Sequence, residues 1–187
     1  MTSEEYLAGV TSAIRGVDLA AIDAAVQILH RAYADRRAVF TCGNGGSAST
    51  ASHLVCDLQK SVVGPDGRGL RAIALTDSLP LITAWSNDFD YSRVFAEQVS
   101  ALASEGDVLL AISASGNSPN VILAVERANS MGLTTIGLAG YQGGKLRQVA
   151  QRCIVVPSDN MQMIEDAHLV VGHLIFSRLR DDLASSS

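Results

Sequence analysis

Long apolar runs are absent from this sequence. None approaches the roughly 20 residues that a helix needs to cross a bilayer. The opening residues, MTSEEYLAG, are polar and acidic, unlike the basic-then-apolar pattern of a secretory signal. The expectation is a cytoplasmic protein without a membrane partner. Basic clusters are missing too. The 14 Lys and Arg residues are scattered along a chain with 19 acidic ones, for a net charge of −5, which argues against a general nucleic-acid surface. Cysteine is scarce and odd in number: Cys42, Cys56 and Cys153 lack metal-finger spacing and read as reduced, mostly buried thiols. Charge of either sign makes up only 18% of the chain, while 48% is apolar. That is enough to bury one core, so residues 1–187 read as a single domain, with the final ASSS as a short frayed tail.

Apolar spacing organises the chain. Tyr6, Val10 and Ile14, then Ile22, Val26, Leu29 and Tyr33 beyond Gly16, fall at helical intervals and predict a helix pair over residues 1–36. Such a pair serves either to pack against another subunit or to cover a sheet edge. The rhythm then changes to short continuous apolar runs, AVFTC, LRAIAL, DVLLAIS, TTIGLAG and CIVVP. Continuous rather than alternating character suits strands buried on both faces, and segments such as SPNVILAVERANSMG supply helical crossovers. The predicted fold over 37–184 is α/β, an open three-layer sandwich with a five-stranded parallel sheet, ending in a long helix over about 160–183.

In such sheets ligands bind beyond the carboxyl ends of the strands. Three polar segments are placed there: CGNGGSAS after the first strand, WSNDFD after the helix that follows the second, and SASGNS after the third. The first lacks the spacing of G-x-G-x-x-G and has no lysine, which excludes a dinucleotide fingerprint and a P-loop. What remains is close backbone approach at a helix N-terminus, which favours an anion. Ser113, Ser115 and Ser118 repeat the device before the helix that starts at Pro119. Ser118 alone could be a helix cap, but two serine-rich helix starts on one sheet edge suit a sugar phosphate. Downstream, His53 and Asp57 share one helix face at i, i+4, a spacing open to two metal ligands, an orienting hydrogen bond or a helix-stabilising pair.

CGNGGSAS followed by His53 and Asp57, together with SNDF, GDVLLAISASGNSPNVI and IEDAHLVVGHLI, resembles the phosphoheptose isomerase family of SIS-domain proteins, from about residue 5 to residue 180. The resemblance implies an SIS fold and a ketose–aldose isomerase that turns sedoheptulose 7-phosphate into D-glycero-D-manno-heptose 7-phosphate, the first step toward activated heptose. It also implies a homotetramer with active sites at subunit interfaces and one divalent metal per site, zinc in some members. Substrate contacts carry over to Asn44, Gly45, Gly46, Ser47, Asn87, Asp88, Ser113, Ala114, Ser115 and Ser118. Ala114 stands where a threonine is frequent, a change that a backbone contact would survive.

Two further departures concern the chemistry. Asp57 stands in place of a glutamate, which shortens its reach by roughly 1.5 Å. Glu165 stands in place of a glutamine, so an implied set of His53, Asp57, Glu165 and His173 would hold two imidazoles and two carboxylates, suited to zinc or a similar ion. Glu165 is also assigned to substrate; its plainer reading is a solvated acid in the first helical turn. Eight helical residues rise about 12 Å and rotate the face by about 80°, so one helix should not bring both Glu165 and His173 to one metal. A neighbouring chain would supply one of them.

Shifting a proton between C1 and C2 of a sugar needs an acid/base pair. The resemblance assigns this to His173 and Asp57, with Asp88 as a hydroxyl ligand or alternative carrier; imidazole as a residue type exchanges protons near neutrality. His30 and His168 read as packing residues. A rival in the same superfamily is a replication-initiator-binding adaptor without isomerase activity. That branch loses the catalytic acid and histidine, which this chain keeps. A sugar-phosphate sensor would carry an attached DNA-binding domain, which is not seen in this sequence.

Overall fold

The structure, a computed structural model, describes residues 1–64 and 66–185. Helix α1 (Ser3–Arg15) starts at a capping box: Thr2 Oγ1 accepts from the Glu5 amide while the Glu5 carboxylate accepts from the Thr2 amide. Helix α2 (Leu19–Ala34) is capped by Asp18, whose carboxylate accepts from the Ala20 amide. Then come β1 (Ala38–Cys42), α3 (Gly46–Cys56), a π-helical turn (Asp57–Ser61), β2 (Arg71–Ala74), α4 (Leu79–Asp88) and a 3-10 turn (Tyr91–Arg93). The chain continues through α5 (Ala96–Leu102), β3 (Val108–Ser113), α6 (Pro119–Ser130), β4 (Thr134–Gly140), α7 (Leu146–Val149), β5 (Arg152–Val156) and α8 (Met161–Ser185).

The five apolar runs form five strands, all parallel, in the order β2-β1-β3-β4-β5. Helices cover both faces of the three central strands β1, β3 and β4, which are buried residue after residue, whereas the edge strand β2 alternates exposed and buried positions and leaves Ile73 exposed. Along β3, Leu110 and Ile112 enter one core with Leu29, Ile164 and Leu179, while Leu109 and Ala111 enter the other with Phe95 and Val125. The N-terminal helices behave differently from each other. Helix α2 sends Ile22, Val26 and Leu29 into the core and covers the sheet within this chain, whereas α1 buries only Ala13 and leaves Leu7 66% exposed. Trp85 to Asp88, expected to follow the helix after the second strand, instead form its last turn, with Ile82 and Trp85 packed at helical spacing against the second core. Helix α8 continues through the expected tail to Ser185; Ser186 and Ser187 lie outside the described residues. Of the cysteines, Cys42 is buried, Cys153 half-buried and Cys56 exposed. Burial pushes the Cys42 thiol up to about 12 and the Cys153 thiol up to about 11, so both stay protonated. Among the described residues, no helix is long and apolar enough to cross a membrane.

Candidate active site

The connection direction reverses between β1 and β3, and the crevice beyond their carboxyl ends is the place where doubly wound sheets accept ligands. The glycine loop enters it from β1. Gly45 has φ 54°, a conformation that favours glycine, and it precedes an α3 N-terminus that no side chain caps. Gly43 has no room for a Cβ, which would sit 2.6 Å from the Ser47 carbonyl oxygen. The result is a helix start with its amides presented to the crevice, a setting that favours negative charge.

The loop after β3 supplies the opposite wall. Ser118 occupies the N-cap position of α6 but makes no capping bond; its hydroxyl lies 3.0 Å from the hydroxyl of Ser113, itself 2% exposed. Ser115 Oγ accepts from the Asn117 amide at 3.2 Å. Gly116, at φ 67°, packs so tightly on the Gly143 carbonyl that a Cβ could not be accommodated. Between the two loops is a cavity of about 180 Å³ walled by Asn44, Ser47, Ser113, Ser115, Ser118 and Glu165, with Ile112, Ala114 and Met161 as its apolar part. Two residues that sequence reasoning missed hold the glycine loop in place. The Asn44 and Asn120 side-chain amides exchange hydrogen bonds of 2.8 and 2.9 Å, and the Tyr91 hydroxyl donates to Asn44 Oδ1 at 2.9 Å. Asn120 is a buried amide immediately after the first proline of α6, and its type was the only signal that could have flagged it.

A second constellation lies where α3 meets α8. His53 Nε2 is 2.9 Å from His173 Nε2, and Asp57 Oδ2 lies 3.4 Å from the first and 3.6 Å from the second. Their ligand atoms all fall within 4.8 Å of one another. Asp57 Oδ2 is buried without a hydrogen-bond partner. The two helices approach closely because residue 172 is glycine; a Cβ there would be 2.5 Å from Leu54 Cδ2. Asp57 also marks the point where α3 widens into the π-helical turn, a distortion that recurs at functional sites. An orphaned carboxylate oxygen facing two imidazole nitrogens fits a divalent cation. Two separations are near the roughly 3.3 Å edge of a tetrahedron with zinc–ligand bonds of about 2.0–2.1 Å, and the imidazole pair is closer, at hydrogen-bond distance.

The other expected site residues divide between places. Glu165 stands apart from the His53, Asp57 and His173 group within one chain. It faces the start of α3, where a Cβ on Gly46 would come within 2.5 Å of its Oε2. Asn87 and Asp88 lie exposed at the end of α4, with Asn87 Nδ2 donating to Asp88 Oδ1 at 2.8 Å, and neither lines the cavity. His168 is only 1% exposed and neither ring nitrogen has a partner of good geometry. Burial pushes its imidazole down to about 4, opposed weakly by the Ala139 backbone, so the ring is neutral and serves packing.

Similarity to known proteins identifies the family. The SIS domain family matches residues 5–140. The phosphoheptose isomerase of Clostridium acetobutylicum is 38% identical over 162 residues, covering 87% of this chain and 82% of the relative. Among solved structures, the phosphoheptose isomerase from Francisella tularensis superimposes with a TM-score of 0.88 at 31% identity, covering 97% of this chain and 100% of that one. The structure of phosphoheptose isomerase from Neisseria gonorrhoeae gives 0.87 at 30% identity, covering 95% and 94%. This chain, with its five parallel strands and paired glycine and serine loops, therefore belongs to the phosphoheptose isomerase family of SIS-domain proteins.

Proposed function

We propose that the protein isomerises sedoheptulose 7-phosphate to D-glycero-D-manno-heptose 7-phosphate. The observation that carries this reading is the Ser113–Ser118 hydroxyl pair at 3.0 Å beside the uncapped start of α6, facing the uncapped start of α3 across one cavity. Two helix N-termini border that cavity, but the α3 terminus faces the Glu165 carboxylate. The phosphate therefore goes to the serine side, where hydroxyls and the α6 amides receive it, and Glu165 is left to accept hydrogen bonds from sugar hydroxyls. Asn44, held by Asn120 and Tyr91, keeps the glycine loop in register with the sugar.

The reaction needs no redox partner. A base removes a proton from C1 of the ketose, the resulting enediol is reprotonated at C2, and the hydroxyl proton on O1 passes to O2. We assign the carbon-to-carbon transfer to His173 and Asp57. A divalent ion, zinc in the first instance, held by His53 and Asp57, would supply Lewis acidity to the sugar carbonyl. A coordinating nitrogen has no lone pair for a proton, so in this reading the neighbouring His173 Nε2 is left uncoordinated to exchange it.

Because Glu165 and His173 are about 12 Å apart along α8, the complete site is read as shared between chains of a closed homo-oligomer, a tetramer as in the family resemblance. Exposed apolar residues on α1 and α4, among them Leu7, Leu79 and Leu81, offer surface for such assembly. Purified protein supplied with sedoheptulose 7-phosphate should yield the aldose. Absence of product from folded, metal-supplemented protein would favour the non-catalytic adaptor.

A further inference from the structure

The amino ends of the strands carry a second concavity. A groove of about 430 Å³ opens there, between the last turns of α2 and the starts of β3, β4 and β5. It lies a strand's length from the serine cavity, about 20 Å along the six residues of β3, so one small ligand cannot occupy both. Three arginines line it, Arg31 from α2, Arg37 just before β1 and Arg152 at the start of β5. Among the described residues none of the three forms an ion pair, although the chain carries a net charge of −5.

Each guanidinium is instead fixed by one bond to a backbone carbonyl. Arg31 Nε donates to Gln27 at 3.4 Å, Arg37 Nη1 to Glu105 at 3.0 Å and Arg152 Nη1 to Gln151 at 2.9 Å. Such anchoring removes part of the side-chain entropy that binding would otherwise cost, while leaving further N–H donors on each group. Arg37 also packs against the backbone. Its guanidinium rests on Gly106, where a Cβ would be 3.0 Å from Cζ, and Gly106 takes the left-handed φ of 85° that glycine tolerates. Asp35 is the single carboxylate among the lining residues, and it pairs with none of the arginines. Three cations therefore face one acid in a concave site.

We propose that this groove binds a small phosphorylated anion carrying two or more negative charges, separately from the serine cavity. Guanidinium groups match phosphate oxygens through paired donors, and three of them exceed what one monoanion requires. A concavity of about 430 Å³ has room for a small molecule. A nucleic acid would need a continuous cationic stripe, and the scattered basic residues of this chain supply none.

Pyrophosphate is the probe. Titrated into the full-length protein, it should move the arginine Nε–Hε resonances of Arg31, Arg37 and Arg152, and the affinity should fall about tenfold or more in Arg37→Gln/Arg152→Gln. Sugar-phosphate turnover in the absence of pyrophosphate should be unchanged in that variant. Arg152→Gln alone, on an exposed residue, provides the same test if loss of the Arg37–Glu105 bond harms folding. Pyrophosphate that binds both variants as tightly as wild type, or leaves the three resonances unmoved, resides in the serine cavity only and overturns the proposal.

Discussion

His53 Nε2 and His173 Nε2 meet at 2.9 Å across the α3–α8 contact, although they are 120 residues apart in sequence. At that separation one ring must donate and the other accept unless a cation lies between them. Asp57 Oδ2, buried and unpartnered beside both, completes a group of three ligand atoms that could hold a cation.

Metal analysis of protein purified without chelator should find a divalent ion near one equivalent per chain, and His53→Ala should lose it. Gly172→Val should weaken retention as well, since its side chain meets Leu54 and pushes α8 from α3, with about 1–3 kcal/mol of lost stability in urea unfolding. Full metal content in His53→Ala would place the ligands elsewhere.

Glu165→Gln should tighten the binding of phosphate esters several-fold. The carboxylate faces the α3 terminus, across the same cavity from the proposed phosphate position, and neutralising it removes a like-charge repulsion inside that cavity. Calorimetry with a non-isomerisable sugar phosphate measures the change. Weaker binding in the variant would mean that the negative charge itself is needed by the sugar.

Complementation tests the shared site. Glu165→Ala and His173→Ala proteins, each inactive alone, are unfolded and reassembled together. If the two residues reach one substrate from different chains, some mixed sites regain both and activity returns. Proven subunit mixing without recovery, or a fully active monomer, ends that idea.

The buried imidazole of His168 makes a pH prediction. Its folded-state value of about 4 lies below the ordinary 6.5, so the unfolded chain binds the proton more readily. The stabilisation is complete above pH 6.5 and is lost as pH falls toward 4, by roughly 3 kcal/mol at most. His168→Leu should flatten this slope in urea unfolding measured with chelator present. An unaltered slope would assign the acid sensitivity to other groups.

Much of this protein could be read along one dimension. Strands buried on both faces are continuous apolar runs, so AVFTC and DVLLAIS declared themselves, and glycine and serine clusters marked helix starts because few other residues permit such close backbone approach. Helix geometry alone separated Glu165 from His173, since rise per residue is the same in every α-helix. The partner each would find could not be read this way. Whether His53 faces His173 or Glu165 depends on where α8 crosses α3, and that crossing is set by the contact of Gly172 with Leu54 and by the π-helical turn at Asp57. Asn120 and Tyr91 reach Asn44 only after the sheet places β1 beside β3. Periodicity is local and determines elements and faces. Side-chain convergence from distant segments is decided by packing, which has no signature in any single stretch of sequence.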